Sequence, residues 1–273
     1  MTVERPQPYI GISGVAHIDQ HIALFDVALR ERIDNMGYFM MIGVQATGKT
    51  QIHDIENKRG QMWHPVGEEI ADAAASEDSG LTKPFVHCFF DGQSELVPGI
   101  TNVMDRTRHY IRGLQINGLA WMEEDYNPIF SAYKDRYPDQ SIILQAGSII
   151  LNNYSPKVVA EKLKDMPADY VLLDHSGGMG KELEVERIRG YVDEVYQQQI
   201  PIGVAVSGGL EAGNVEELFG PLAEMYPNLS CDAEGRLRKG SVGSTTLDLE
   251  LAEDFIMAWK QSVSISESST QPL

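Results

Sequence analysis

The sequence predicts an α/β protein of the (β/α)8 barrel class, and three observations predict it. Short apolar runs alternate with segments of helical period. Eight such runs can be counted. The length of 273 residues suits one domain of eight strand–helix units, at the ~250 residues typical of such barrels. A doubly wound open sheet is the rival reading of the same alternation.

The runs are taken in order. Tyr9-Ile10-Gly11-Ile12-Ser13 reads as the first strand, followed by a helix with Ile22, Phe25, Leu29 and Ile33 three and four apart. Tyr38 to Val44 is the second strand, and a long loop from Gln45 to about Pro65 is expected after it. Phe85 to Phe90, Leu114 to Ile116, Ile142 to Leu144, Tyr170 to Leu173 and Ile202 to Val206 follow as strands, with Leu229-Ser230-Cys231 as a weak eighth. A helix is expected over Asn214 to Met225, where Val215, Leu218, Phe219 and Leu222 share a face. The last helix, Leu247 to Trp259, repeats Leu247, Leu251, Phe255 and Trp259 every fourth residue. The barrel is assigned to 1–261 as a single domain, and the Ser-rich 262–273 to a flexible tail.

Composition narrows the partners. An apolar share of 42% suits a folded, soluble chain. With 40 acidic and 22 basic residues, the formal charge is −18, which disfavours nucleic acid and anionic membranes. Cys88 and Cys231 are too few for a disulfide scaffold or a Cys-rich metal site. No secretory leader and no membrane-length apolar run is visible, so a cytoplasmic location is expected. A homo-oligomer stays open.

Two segments could carry chemistry. In Val206-Ser207-Gly208-Gly209-Leu210-Glu211-Ala212-Gly213-Asn214 a strand ends in a glycine pair and a helix follows. Backbone N–H groups of such a turn can hold a phosphate without any basic side chain, and the loops after strands seven and eight of a barrel are a usual phosphate site. A tight turn that needs glycine for its backbone angles is the other reading. In Leu172-Leu173-Asp174-His175-Ser176-Gly177-Gly178-Met179-Gly180-Lys181 an Asp ends a buried strand, where barrel enzymes place catalytic groups. Asp174 either acts as an acid/base or braces its loop. His175 is a second titrating group beside it, and His17 is an alternative base past the first strand. Lys49, His53, Lys58, Arg59, Trp63 and His64 make the second-strand loop a lid or an ordinary polar insertion. His87 beside Cys88 and Asp91 lacks metal-site spacing and reads as a buried, satisfied histidine. No metal and no cofactor is expected.

These segments resemble phosphoribosylanthranilate isomerase, a phosphate-binding (β/α)8 barrel. The stretch Leu172 to Glu184 is similar to that family's LLDS…GGTGKTFDW, and Ser207-Gly208-Gly209-Leu210-Glu211-Ala212-Gly213-Asn214-Val215 to its AGGLNPENV. Leu114-Gln115-Ile116-Asn117-Gly118 resembles VQLHG, Gly11-Ile12-Ser13-Gly14-Val15-Ala16 resembles KICGIT, and Thr47-Gly48-Lys49 corresponds to SPR. Cys231-Asp232-Ala233-Glu234-Gly235 echoes DVSSG loosely. The resemblance implies an isomerase acting on a small phosphorylated sugar or related anionic metabolite. Asp174 would be the acid/base. Gly177, Gly178, Ser207, Gly208, Gly209, Gly235, Lys49 and Asn117 would line the ligand site.

The sequence also departs from the family. Its catalytic Cys is Ser13 here, an alcohol far too weakly acidic to serve as a base unaided. Its Arg becomes Lys49, a point charge in place of a fork. Glu234 stands where a serine faces phosphate, with Arg236, Arg238 and Lys239 nearby to compensate. Turnover of phosphoribosylanthranilate is therefore expected to be very weak. A ligand-binding barrel without chemistry, or a lyase using Lys49 or Lys181 as an amine nucleophile, are the alternatives.

Overall fold

The computed structural model describes residues 3–53, 65–75, 80–176, 183–238 and 247–269. Eight parallel strands close into a barrel in sequence order: β1 (Tyr9–Val15), β2 (Phe39–Thr47), β3 (Thr82–Phe89), β4 (Gly113–Asn117), β5 (Ser141–Gly147), β6 (Tyr170–Asp174), β7 (Gly203–Ser207) and β8 (Leu229–Ala233). The expected barrel is the observed one, and each of the eight apolar runs forms a strand. Several strands run further than their apolar run, because the run is followed by an inward-facing polar residue that belongs to the strand, as at Gln45, Gln145, Asp174, Ser207 and Asp232.

The helices between the strands are α1 (Ile18–Glu31), α2 (Gly48–Gln51), α3 (Glu69–Ala74), α4 (Gln93–Thr107), α5 (Asn127–Arg136), α6 (Ser148–Asn153), α7 (Pro156–Leu163), α8 (Val185–Gln197), α9 (Val215–Leu218), α10 (Gly220–Met225) and α11 (Leu249–Ser269). Strand residues facing the helices, such as Ile10, Ile12, Met40, Ile42, Val171 and Leu173, form one large buried cluster with the apolar helix faces. Their neighbours in sequence face the barrel axis, because successive side chains of a strand alternate sides.

Inside the barrel the lower layers are apolar. Tyr9, Phe39, Met41, Phe85, Ile143, Tyr170, Leu172 and Ala205 form a separate buried cluster. The Tyr9 ring lies 5.7 Å from Phe39 and 5.4 Å from Tyr170, and Phe39 stacks at 6.5 Å from Phe85. Gly113 and Gly203 give up side chains where Phe85 and Tyr170 need the room. This aromatic floor plugs the N-terminal end, so the polar chemistry is confined to the C-terminal mouth.

Four expectations are corrected. The buried face of α1 is Gln20, His21, Leu24, Val27 and Ala28, whereas Ile22 and Leu29 are 52% and 58% exposed. Of the residues spaced three and four apart, Ile22 and Leu29 face outward, Phe25 packs against the core, and Ile33 is fully buried beyond the end of α1. The single helix expected over Asn214 to Met225 is two, α9 and α10, because Pro221 lacks the N–H to continue a helix and starts a new one instead. The second-strand loop begins later than Gln45, since β2 continues to Thr47 and α2 follows at once. The boundary at 261/262 falls inside α11, which continues to Ser269. Both cysteines are buried and free, and among the described residues no helix is long and apolar enough to cross a membrane.

Candidate active site

The upper inward position of each strand is polar, and the register aligns these residues in two sets of three. Gln45, His87 and Gln115 lie side by side on β2, β3 and β4. Asp174, Ser207 and Asp232 do the same on β6, β7 and β8. Ser13 on β1 and Gln145 on β5 complete the circle.

Ser13 is buried, and its Oγ donates to Asp232 at 3.0 and 3.2 Å from the two carboxylate oxygens. Room for this pair comes from two glycines. A Cβ on Gly11 would lie 2.8 Å from Asp232 Oδ1, and one on Gly43 would lie 2.5 Å from Ser13 Oγ. Burial pushes the Asp232 carboxyl up to about 8, with the negative charges of Glu234 and Asp174 adding to it and the Ser13 bond opposing it. Near neutrality Asp232 is therefore mostly a neutral acid.

Glu234, two residues on, is set the other way. Gln45 Nε2 and Arg238 Nη2, the latter at 3.0 Å, both donate to its Oε1. Arg238 first among its neighbours, then His87, holds its carboxyl below the usual range against the opposing pull of burial. Arg238 reaches it across Gly14, whose φ of +93° and missing side chain leave space for the guanidinium. Glu234 Oε2 faces His87 Nδ1 at 3.9 Å.

From His87 a chain of polar contacts runs around the mouth. Gln115 Nε2 lies 3.2 Å from His87 Nε2 and 3.4 Å from Gln145 Oε1, and Gln145 Nε2 donates to Asp174 Oδ2 at 2.7 Å. Asp174 Oδ1 accepts from Ser176 N at 2.8 Å and Ser176 Oγ at 2.7 Å. Burial lowers the His87 pKa, against the opposing pull of Glu234, Asp174 and the Gln145 side chain. The histidine expected on β3 to be buried and satisfied belongs to the site instead, with its Nδ1 lacking a hydrogen-bond partner. Among the described residues no group of three or more His, Cys, Asp or Glu side chains is placed to hold a metal ion.

The structure brings together Ser13, Asp174 and Ser207 from the sequence-based candidates, and leaves others apart. His175 turns away from the axis, as the residue after an inward Asp must, and packs against Asn152 at 3.2 Å, Arg187 at 3.0 Å and Glu184 at 3.4 Å. His17 is the exposed N-cap of α1. Asn117 Oδ1 folds back on Gly118 N at 2.6 Å. Lys49 lies on α2 and is exposed.

The Gly208-Gly209 turn has φ values of 139° and 55°, and Asn214 ties it to itself, donating to Gly209 O and accepting from Glu211 N, each at 2.9 Å. The turn reading of these glycines is thereby met on its own terms. Gly235 lies in the turn after β8, which Leu237 N closes onto Glu234 O at 3.0 Å. Gly177, Gly178, Lys181, Lys58, Arg59, Trp63, His64 and Lys239 lie outside the described residues.

The expected gathering of cations at the mouth does not form among the described residues. Arg236 bonds Glu211 at 2.8 Å, Arg238 bonds Glu234, and Glu234 itself occupies the mouth. Sequence reasoning missed Asp232, Gln45, Gln115 and Gln145 as site residues, and singled out Glu234 only as a carboxylate standing where a serine would face phosphate. The available signal was positional: Gln45, Gln115 and Gln145 each sit one inward step above a glycine or apolar residue of their strand, Gly43, Gly113 and Ile143.

No protein-family model and no curated sequence matches the chain. Similar solved structures include the tryptophan synthase alpha chain from Legionella pneumophila subsp. pneumophila. That chain has a TM-score of 0.56 and 9% identity, covering 96% of this chain and 92% of that one. A chain from Aquifex aeolicus VF5 gives 0.54 and 13% identity over 97% and 93%. A tryptophan synthase from M. tuberculosis, in its aminoacrylate- and BRD0059-bound form, gives 0.53 and 10% identity over 97% and 93%. Identities this low carry the fold alone. The comparisons overturn the resemblance to phosphoribosylanthranilate isomerase, since the similar structures named as enzymes are tryptophan synthase chains, a different barrel family. Short glycine-bearing strings at strand ends are common to barrels, which is why they misled.

Proposed function

We propose that the chain is a general acid–base enzyme of isomerase type, moving protons on a small hydroxylated carbonyl compound held at the barrel mouth. The observation that carries this reading is the placement of two buried carboxyl groups across the mouth, Asp174 and Asp232, of which Asp232 is bonded to Ser13 and pushed up to about 8, chiefly by burial, so that it can give a proton near neutrality.

Asp232 and Asp174 flank Ser207 one strand to either side, so their backbones stand roughly 10 Å apart at the ~4.8 Å strand spacing. A substrate of a few carbons fits between the two carboxyl groups. Asp174 Oδ1 is filled by two donors, and among the described residues Oδ2 takes Gln145 alone, leaving a lone pair for a substrate proton. In the proposed step Asp174 Oδ2 takes the proton from the carbon next to the carbonyl as Asp232 gives its proton to the carbonyl oxygen. The resulting enediol returns a hydroxyl proton to Asp232 and receives the Asp174 proton on the adjacent carbon. Both groups end as they began. Ser13, bonded to Asp232, steadies the carboxylate that appears midway.

Deuterium wash-in tests this reading. Aldoses, ketoses, amino sugars and their monophosphates are incubated with the protein in D2O and followed by proton NMR. At least one is expected to exchange its carbon-bound proton, and Asp232→Asn should slow that exchange by about 100-fold or more while the protein stays folded. No exchange across the panel, or exchange unaffected by Asp232→Asn, contradicts the assignment.

A further inference from the structure

The β2–β4 side of the mouth holds polar atoms that the acid–base pair does not use. Gln45 and Gln115 are 7% and 1% exposed, and the carbonyl oxygens Gln45 Oε1 and Gln115 Oε1 are buried without a hydrogen-bond partner. Buried polar atoms are normally paired, because an unsatisfied acceptor has lost its water without replacing it. Their placement follows from the register: Gln45 and Gln115 flank His87 on either side, all facing the axis. Glu234 leans over the same spot. Its Oε1 takes both Gln45 and Arg238, and its Oε2 is turned to His87 Nδ1 at 3.9 Å, beyond hydrogen-bond reach.

We infer that this side of the mouth is a recognition subsite for a cationic amino group of the ligand, with Gln45 Oε1, Gln115 Oε1 and Glu234 Oε2 as its three acceptors. An ammonium has three donors and a positive charge, and meets three acceptors of which one is ionised. A phosphate or carboxylate has only acceptors and would face Glu234 directly. Arg238 is 1% exposed and committed to Glu234, so it offers an anion little. The overall charge of −18 attracts a cation and repels an anion. The inference rests on the reading of the mouth as the active site, and it narrows the substrate class to small amino-bearing carbonyl compounds such as amino sugars.

Glucosamine is the probe, with N-acetylglucosamine, glucose and glucose monophosphate as controls. Each is titrated into nitrogen-labelled full-length protein while the side-chain amide signals of Gln45 and Gln115 are followed. Glucosamine is expected to shift both signals saturably, the three controls to shift them little, and Glu234→Gln to weaken glucosamine binding by about tenfold or more. Melting curves of Glu234→Gln confirm that the variant is folded, and Asp232→Asn should still bind the probe. Equal or stronger shifts with glucose or its monophosphate, or none with glucosamine at tens of millimolar, overturn the inference. If glucosamine binds as expected and no deuterium exchange occurs, the catalytic reading falls and the amine subsite stands. Exchange on substrates without an amine, with no glucosamine binding, has the opposite meaning.

Discussion

Asp232 is the residue on which the chemistry turns, and its environment has a measurable thermodynamic consequence. An unfolded Asp titrates near ~3.9, whereas the folded one is held up to about 8. Between these values the folded state binds the extra proton, so this residue favours folding below the unfolded value and loses that contribution as pH rises through the folded one. Asp232→Asn removes the titration. Its melting temperature should decline less than that of the wild type between about pH 4 and 8. Parallel curves for the two proteins would mean that Asp232 ionises normally. Glu234 has the opposite sign: its lowered pKa stabilises the fold above the unfolded value and that contribution is lost in acid. Ser13 was legible in the sequence only as a missing base. Its role, a donor to Asp232, needed the closure of β8 against β1, a pairing that no local pattern states.

At the level of elements, the strands were legible because each carries an apolar run long enough to see. Their ends were not, because the reading stopped at the first polar residue: Leu144 before Gln145, Leu173 before Asp174, Cys231 before Asp232. In a barrel those terminal polar residues are the inward mouth positions, so the information lost was the site itself. Helix faces were less legible than helix positions. Ile22 and Leu29 on α1 look like core by spacing, yet the side packed against the barrel carries Gln20 and His21. Gly11 and Gly43 show how strands shape the site by omission. Gly43→Ala would put a methyl 2.5 Å from Ser13 Oγ and 3.0 Å from Ser13 Cα, and the backbone cannot yield as a side chain can. The expected result is a loss of about 1–3 kcal/mol in stability and a weakened Ser13–Asp232 bond, read by urea unfolding and by the Asp232 titration. Gly11→Ala meets only the side chains of Asp232 and Met41 and should cost less stability while displacing the same carboxyl. A Gly43→Ala protein as stable as the wild type would show the strands to be looser than described.

The whole molecule joins an aromatic floor, which seals one end of the barrel, to a polar ring at the other. The floor should be the less forgiving half. Phe85→Ala is expected to destabilise the protein by about 3–5 kcal/mol, measured by denaturant unfolding, since Phe85 fills the space beside Gly113 and stacks on Phe39. A cost below about 1 kcal/mol would mean that the floor is not packed as a layer. The net charge of −18 gains meaning at this scale. It agrees in sign with a mouth holding Asp174, Asp232 and Glu234, where the described arginines serve carboxylates and not a ligand anion. Burial, with the neighbouring Glu234 and Asp174 charges adding to it, keeps Asp232 protonated near neutrality. Carbon-13 NMR titration of the aspartate carboxyl signals, with Asp232→Asn to assign the resonance, tests it most directly. The account predicts a midpoint up at about 8, higher still in Ser13→Ala because the one opposing side-chain bond is gone. A midpoint near the ~4 of an ordinary aspartate would contradict it.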